Sequence, residues 1–189
     1  MTETDPKSLA RSAASALLER FRIEAIDLAL VLGSGWSGAA VGLGEAIGDC
    51  ELADLPGFAK PVVAGHGGAL KLIRTPAGKT AALFTGRTHF YEGRGVEPVV
   101  HGVRTAAAAG AKMILLTNGC GGLNPDWAPG TPVLIRDHIN LTNASPLAGA
   151  TFIDLTEAYS LRLRELAHEV DPSLAEGVYI RFRGPQYET

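Results

Sequence analysis

Three short apolar runs each stop at a cluster of glycines and small polar residues, and this punctuation restricts the fold more than any other feature. Ile26–Leu32 runs into Gly33-Ser34-Gly35-Trp36-Ser37-Gly38, Thr80–Phe84 into Thr85-Gly86-Arg87, and Lys112–Thr117 into Asn118-Gly119-Cys120-Gly121-Gly122. Continuous apolar runs of this length are what strands buried on both faces require. Helical spacing lies between and around them. Asp5-Pro6 caps a predicted helix to about Arg22, with Leu9, Ala13, Leu17 and Phe21 on one face. Val96–Gly110 reads as a second helix, and Thr156 or a neighbour caps a third to about Val170. Further strands are expected near Glu45–Leu52, Ala69–Arg74, Pro132–Arg136 and Gly177–Arg183. Strands and helices alternate with no internal repeat and no linker. The expectation is an α/β fold with a mostly parallel sheet, and one domain spanning all 189 residues.

Composition narrows the function classes. With 46% hydrophobic residues and mean hydropathy +0.13 the chain is globular. A net charge of −3 gives no electrostatic reason to expect nucleic acid. Cys50 and Cys120 lie far apart without a CxxC pair, which argues against a disulfide framework or a zinc site and for a reducing cytoplasm. The start, Met1-Thr2-Glu3-Thr4-Asp5-Pro6, lacks the basic and apolar regions of a signal peptide, and no apolar run approaches a membrane span. His66, His89, His101, His138 and His168 show no metal-ligand spacing, so no metal is expected.

Functional side chains crowd into Thr85-Gly86-Arg87-Thr88-His89-Phe90-Tyr91-Glu92-Gly93. Arg87 offers a planar fork of donors for phosphate or carboxylate, and His89 can donate, accept or carry a proton near neutral pH. Read as an extended segment, Arg87, His89 and Tyr91 point to one side, with Glu92 able to hold His89 or Arg87. The bland alternative is a solvated edge strand. The turn Gly33–Gly38 fits GxGxxG after a strand, so a dinucleotide site is a competitor, wanting an acidic residue roughly 20 positions on. Glu51 and Asp54 stand near that distance, but neither ends a strong strand. The other reading has Ser34 and neighbouring backbone N–H groups receive a phosphate. Parallel strands bring Ser34, Arg87 and Gly119 to one edge of the sheet, where open α/β folds bind ligands.

Six segments in order carry a specific resemblance: Gly33-Ser34-Gly35, Gly65-His66-Gly67-Gly68, Gly86–Gly93, Asn118–Leu123, Leu134–Leu141 and Gly184-Pro185-Gln186-Tyr187-Glu188-Thr189. They resemble the trimeric purine nucleoside phosphorylases over about Asp27 to Thr189. The resemblance implies a mixed, mostly parallel central sheet flanked by helices, incomplete at the C-terminus because family members continue past Thr189. It implies phosphorolysis of purine nucleosides such as inosine and guanosine, with inorganic phosphate as co-substrate and no cofactor, in a cytoplasmic homotrimer. Ser34, His66, Arg87, His89 and the Gly119 backbone would bind phosphate, and Tyr91 would face the ribose. Tyr187 and Glu188 would contact the purine, while His89 and Glu92 serve catalysis, Glu92 by orienting His89. Phe152 is the candidate to reach a neighbouring subunit's site. Rivals are a methylthioadenosine phosphorylase of the same family, disfavoured because Glu188 rather than Asp meets the base, and an inactive phosphate-binding fragment.

Overall fold

The computed structural model describes residues 5–33, 35–59 and 68–184. By contacts the chain divides into two compact units, Met1–Gly119 and Cys120–Thr189.

The first unit opens with α1 (Pro6–Phe21). Asp5 accepts hydrogen bonds from the backbone N–H groups of Lys7 and Ser8, and Pro6 occupies the first turn, where its missing N–H costs nothing. Arg22 closes the helix in the left-handed conformation. Five strands follow, β1 (Leu28–Val31), β2 (Glu45–Glu51), β3 (Ala69–Arg74), β4 (Thr80–Phe84) and, after α2 (Glu97–Ala108), β5 (Met113–Leu116). They form one sheet in the order β2-β3-β4-β1-β5. β2, β3 and β4 pair antiparallel, whereas β1 lies parallel to both β4 and β5. The sheet is therefore mixed, with its parallel half where the apolar runs predicted it.

Burial explains the order. Every residue of β4 is buried, and Leu70, Leu72 and Leu83 have no exposed surface. α1 contributes Ala14 and Leu17 and α2 Ala106 to the core that holds Leu70 and Leu72, whereas Leu83 packs in a second cluster with Leu32, Ile73 and Ala81. Each large aliphatic side chain so enclosed stabilises the fold by about 1.5–3 kcal/mol. His101 on α2 is a core histidine. Its Nε2 lies 2.8 Å from the Pro56 carbonyl, and its ring meets Phe58 edge-on. At the sheet's edge β5 departs from expectation. Leu115 and Leu116 are more than half exposed, so an apolar run read as buried is an open edge strand here.

The second unit holds β6 (Val133–Asn140), α3 (Leu161–Val170) and β7 (Ala175–Arg181), with β6 and β7 parallel. β6 extends beyond the expected Arg136 to include Asp137-His138-Ile139-Asn140. α3 starts later than expected. Thr156 is held in a local turn by Asp154, which accepts both its N–H and its hydroxyl, so Ser160 caps the helix instead. Arg164 and His168 on α3 both pair with Glu176 on β7, and Arg164 does most to hold that carboxylate below its ordinary pKa. None of the described helices is long and apolar enough to cross a membrane.

Candidate active site at the carboxyl ends of the parallel strands

β1 lies between β4 and β5 and runs parallel to both, so the segments leaving all three strands emerge at one end of the sheet. That arrangement creates the crevice in which open α/β sheets take ligands. Here the three segments touch. Gly33, two residues past β1, packs so closely on the segment after β5 that a Cβ there would lie 2.3 Å from the Thr117 carbonyl oxygen and 3.0 Å from the Asn118 Cα. The same Cβ would stand 2.9 Å from Nη1 of Arg87, which follows β4. Only glycine fits this junction. A guanidinium thus reaches the point where the β1 and β5 turns meet, and Gly119 follows Asn118 directly.

Two threonines end the strands around this point. The Thr117 hydroxyl accepts the Gly33 N–H at 2.8 Å and donates to the Val31 carbonyl at 3.1 Å. The Thr85 hydroxyl donates to the Ala69 carbonyl at 3.0 Å, which also accepts the Thr85 backbone N–H. Gly68, immediately before Ala69, abuts the Gly86 backbone, so the described end of the His66-bearing loop lies one residue from Arg87. His66 itself falls outside the described residues, as do Ser34, Tyr187 and Glu188.

The segment from Arg87 to Glu92 is built differently from the extended row expected. Residues 85–89 are irregular, and Phe90–Glu92 form a single 3-10 turn closed by Gly93 at φ 76°. His89 and Glu92 form a reciprocal capping box: the Glu92 carboxylate accepts the His89 backbone N–H at 2.6 Å, and the His89 ring accepts the Glu92 backbone N–H. Glu92 therefore holds His89 through the main chain. The His89 and Tyr91 rings stack at 4.8 Å with planes 15° apart, so these two side chains do share a side, through the turn rather than strand alternation. Arg94 lies 3.7 Å from the Glu92 carboxylate. The edge-strand alternative fails because the preceding β4 is interior to the sheet and wholly buried.

Among the described residues the other histidines, His101, His138 and His168, have local partners. The His138 Nδ1 lies 3.0 Å from the Tyr159 hydroxyl, whose pKa burial pushes up, with Asp137 and Tyr179 adding to the rise. Cys50 is buried, which raises its thiol pKa, and Cys120 is exposed; both are free. Among the described residues no three His, Cys, Asp or Glu side chains converge as a metal-ligand set.

Residues 27–189 match the model of the phosphorylase superfamily. A purine nucleoside phosphorylase from a Cellulomonas species is 56% identical over 98% of this chain and 67% of its own length. The chain belongs to the purine nucleoside phosphorylase family. The enzyme of that name from Mycobacterium leprae is 53% identical over 100% of this chain and 70% of its own. Among solved structures, isoform 2 of the Schistosoma mansoni purine nucleoside phosphorylase, in complex with cytosine and ribose-1-phosphate, superimposes with a TM-score of 0.83. It is 29% identical, over 96% of this chain and 68% of that one. The family match spans both compact units.

Arg87, His89 and Gly119 are expected at the site from sequence, whereas Thr117 stands there only as the last residue of an apolar run. A hydroxyl-bearing residue between a buried strand and a glycine-rich turn was the available signal.

Proposed function

We propose that the protein is a pentosyltransferase that phosphorolyses purine nucleosides, inosine and guanosine foremost, with inorganic phosphate as co-substrate. The observation that carries this reading is the Arg87 guanidinium at the junction of the β1 and β5 turns, in a chain 56% identical to a purine nucleoside phosphorylase. Ribose-1-phosphate in the Schistosoma relative is the sugar product such a reaction yields, and supports it.

In the proposed reaction a phosphate oxygen attacks the anomeric carbon of a β-nucleoside. The new C–O bond forms as the glycosidic C–N bond breaks, and the bonding pair leaves with the purine, which takes up a proton. Inversion gives α-ribose 1-phosphate. Arg87, Ser34, His66 and the Gly119 backbone hold the phosphate, and a ring N–H of His89 donates to it. Most of the acceleration in such a site comes from positioning and from charge placed opposite a cationic sugar. Tyr91, stacked on His89, faces the ribose, and Tyr187 and Glu188 meet the base. We place the protein in the cytoplasm as one domain per subunit of a homotrimer, with the exposed Phe152 reaching the neighbouring site.

Glu188 supplies the specificity test. An ionised carboxylate only accepts hydrogen bonds, and 6-oxopurines offer it N1–H whereas adenine N1 is an acceptor. Sites of this kind discriminate by about 10⁴ or more. Steady-state kinetics should show phosphate-dependent cleavage of inosine, with adenosine poorer in kcat/KM by that order. Equal kcat/KM for the two would refute the Glu188 assignment, and no phosphate dependence would refute the reaction.

A further inference from the structure

We infer that Thr117 is a positioning residue for the proposed phosphate site, fixing the β1 turn against Arg87 through its hydroxyl; the inference rests on the phosphate reading above. In a parallel ladder a residue donates its N–H to one partner carbonyl and accepts, two residues further along that partner strand, at its own carbonyl. Thr117 makes the first bond, its N–H reaching the Val31 carbonyl at 3.0 Å. The second would take the Gly33 N–H to the Thr117 carbonyl. Instead that N–H goes to the Thr117 hydroxyl at 2.8 Å, while the hydroxyl donates back to Val31. A side chain has replaced the last backbone rung.

The substitution has two effects. It satisfies the N–H of a buried residue that has left the ladder, which would otherwise be orphaned. It also fixes how far β1 diverges from β5 at the point where Gly33 fits between Thr117, Asn118 and Arg87. The position of Gly33 relative to the guanidinium and to Asn118 is then set by one hydroxyl. Thr117 acts through Gly33 and need not touch the anion.

The test is calorimetric titration of the purified protein with inorganic phosphate and, separately, inosine. Thr117→Val keeps the shape and removes the hydroxyl. It should weaken phosphate binding by about tenfold, the loss of one hydrogen bond and its orphaned donor. Thr117→Ser should stay within about twofold of wild type, and inosine affinity should not move in either variant. Should Thr117→Val fail to yield folded protein, Thr117→Cys, of similar volume but a weak acceptor, should fall between Ser and wild-type behaviour on one side and the tenfold loss on the other. Arg87→Ala separates the two levels of inference. If it binds phosphate as wild type does, the phosphate reading fails and this inference with it. If Arg87→Ala loses phosphate while folded Thr117→Val or Thr117→Cys keeps wild-type affinity, or weakens inosine equally, Thr117 is not a positioning residue for the anion.

Discussion

Replacing Gly33 with alanine probes the junction most directly. The new methyl would begin 2.3 Å from the Thr117 carbonyl oxygen, and ordinary contact starts at 3.4 Å, so the two segments must separate by about 1.1 Å. Two of its three nearest neighbours are backbone atoms, which cannot rotate away. The strand ends themselves must part. That movement carries the 2.8 Å bond between the Gly33 N–H and the Thr117 hydroxyl beyond useful length. Forcing a methyl into packed surroundings costs about 1–3 kcal/mol. The lost hydrogen bond adds about 1 kcal/mol. At about 2–4 °C per kcal/mol for a chain of this size, differential scanning calorimetry should show a melting temperature lower by about 5–15 °C. Arg87 is displaced by the same movement, and a misplacement of about 1 Å can cost a hundredfold in function. Phosphate affinity should therefore fall further than stability alone explains. Gly38→Ala is the control, because a Cβ there meets nothing within 4 Å and its φ is not positive. A Gly33→Ala protein that melts within 1 °C of wild type and binds phosphate normally would refute the close approach and the role assigned to it.

Two further perturbations have defined signs. Glu92→Ala removes the carboxylate that accepts the His89 N–H, a cap worth about 1 kcal/mol, and should reduce phosphate affinity while lowering the melting temperature by about 2–4 °C; Glu92→Gln, which still accepts, should retain most of both, and equal loss in both would show that charge rather than the cap matters. Glu176 titrates below its usual range because Arg164, then His168, hydrogen-bonds its ionised form, so its contribution exists above the unfolded pKa and fades as pH falls through the folded one. Wild type should melt above Glu176→Gln at pH 7, and the gap should close on acidification below the ordinary glutamate range; a gap independent of pH would refute the ion-pair account.

Much of the first unit was legible because its signals are local or binary. Asp5-Pro6 specifies a helix start within four residues, and Thr80–Phe84 is apolar enough to admit only an interior strand. The turn at Phe90–Glu92 was missed for the opposite reason. Alternation suggested a strand, but Glu92 three residues after His89, followed by Gly93, is a capping box with a left-handed close, and those two interactions outweigh alternation. Thr156 misled because a hydroxyl that can cap a helix can equally complete a turn with a preceding carboxylate, and Asp154 claims it. At the site, Arg87 and His89 announce themselves by chemistry. Thr117 does not, since its hydroxyl gains meaning only from Gly33, a neighbour 84 positions away.

The central place of β1 has a consequence for how this protein comes into being. β2, β3 and β4 are joined antiparallel in chain order, so that platform can pair as each strand follows its predecessor. β1 is made before all of them, yet Leu28 finds its partners in Ala81 and Met113, with the whole platform synthesised in between. Closing such loops costs entropy before any contact repays it, which makes distant parallel pairing the slow part of folding. The junction draws on Gly33, Arg87 and Thr117, so it cannot close until the chain has been made through Thr117. That end of the sheet is thus a late product of assembly, and β1 waits longer for its neighbours than β2 or β3 does.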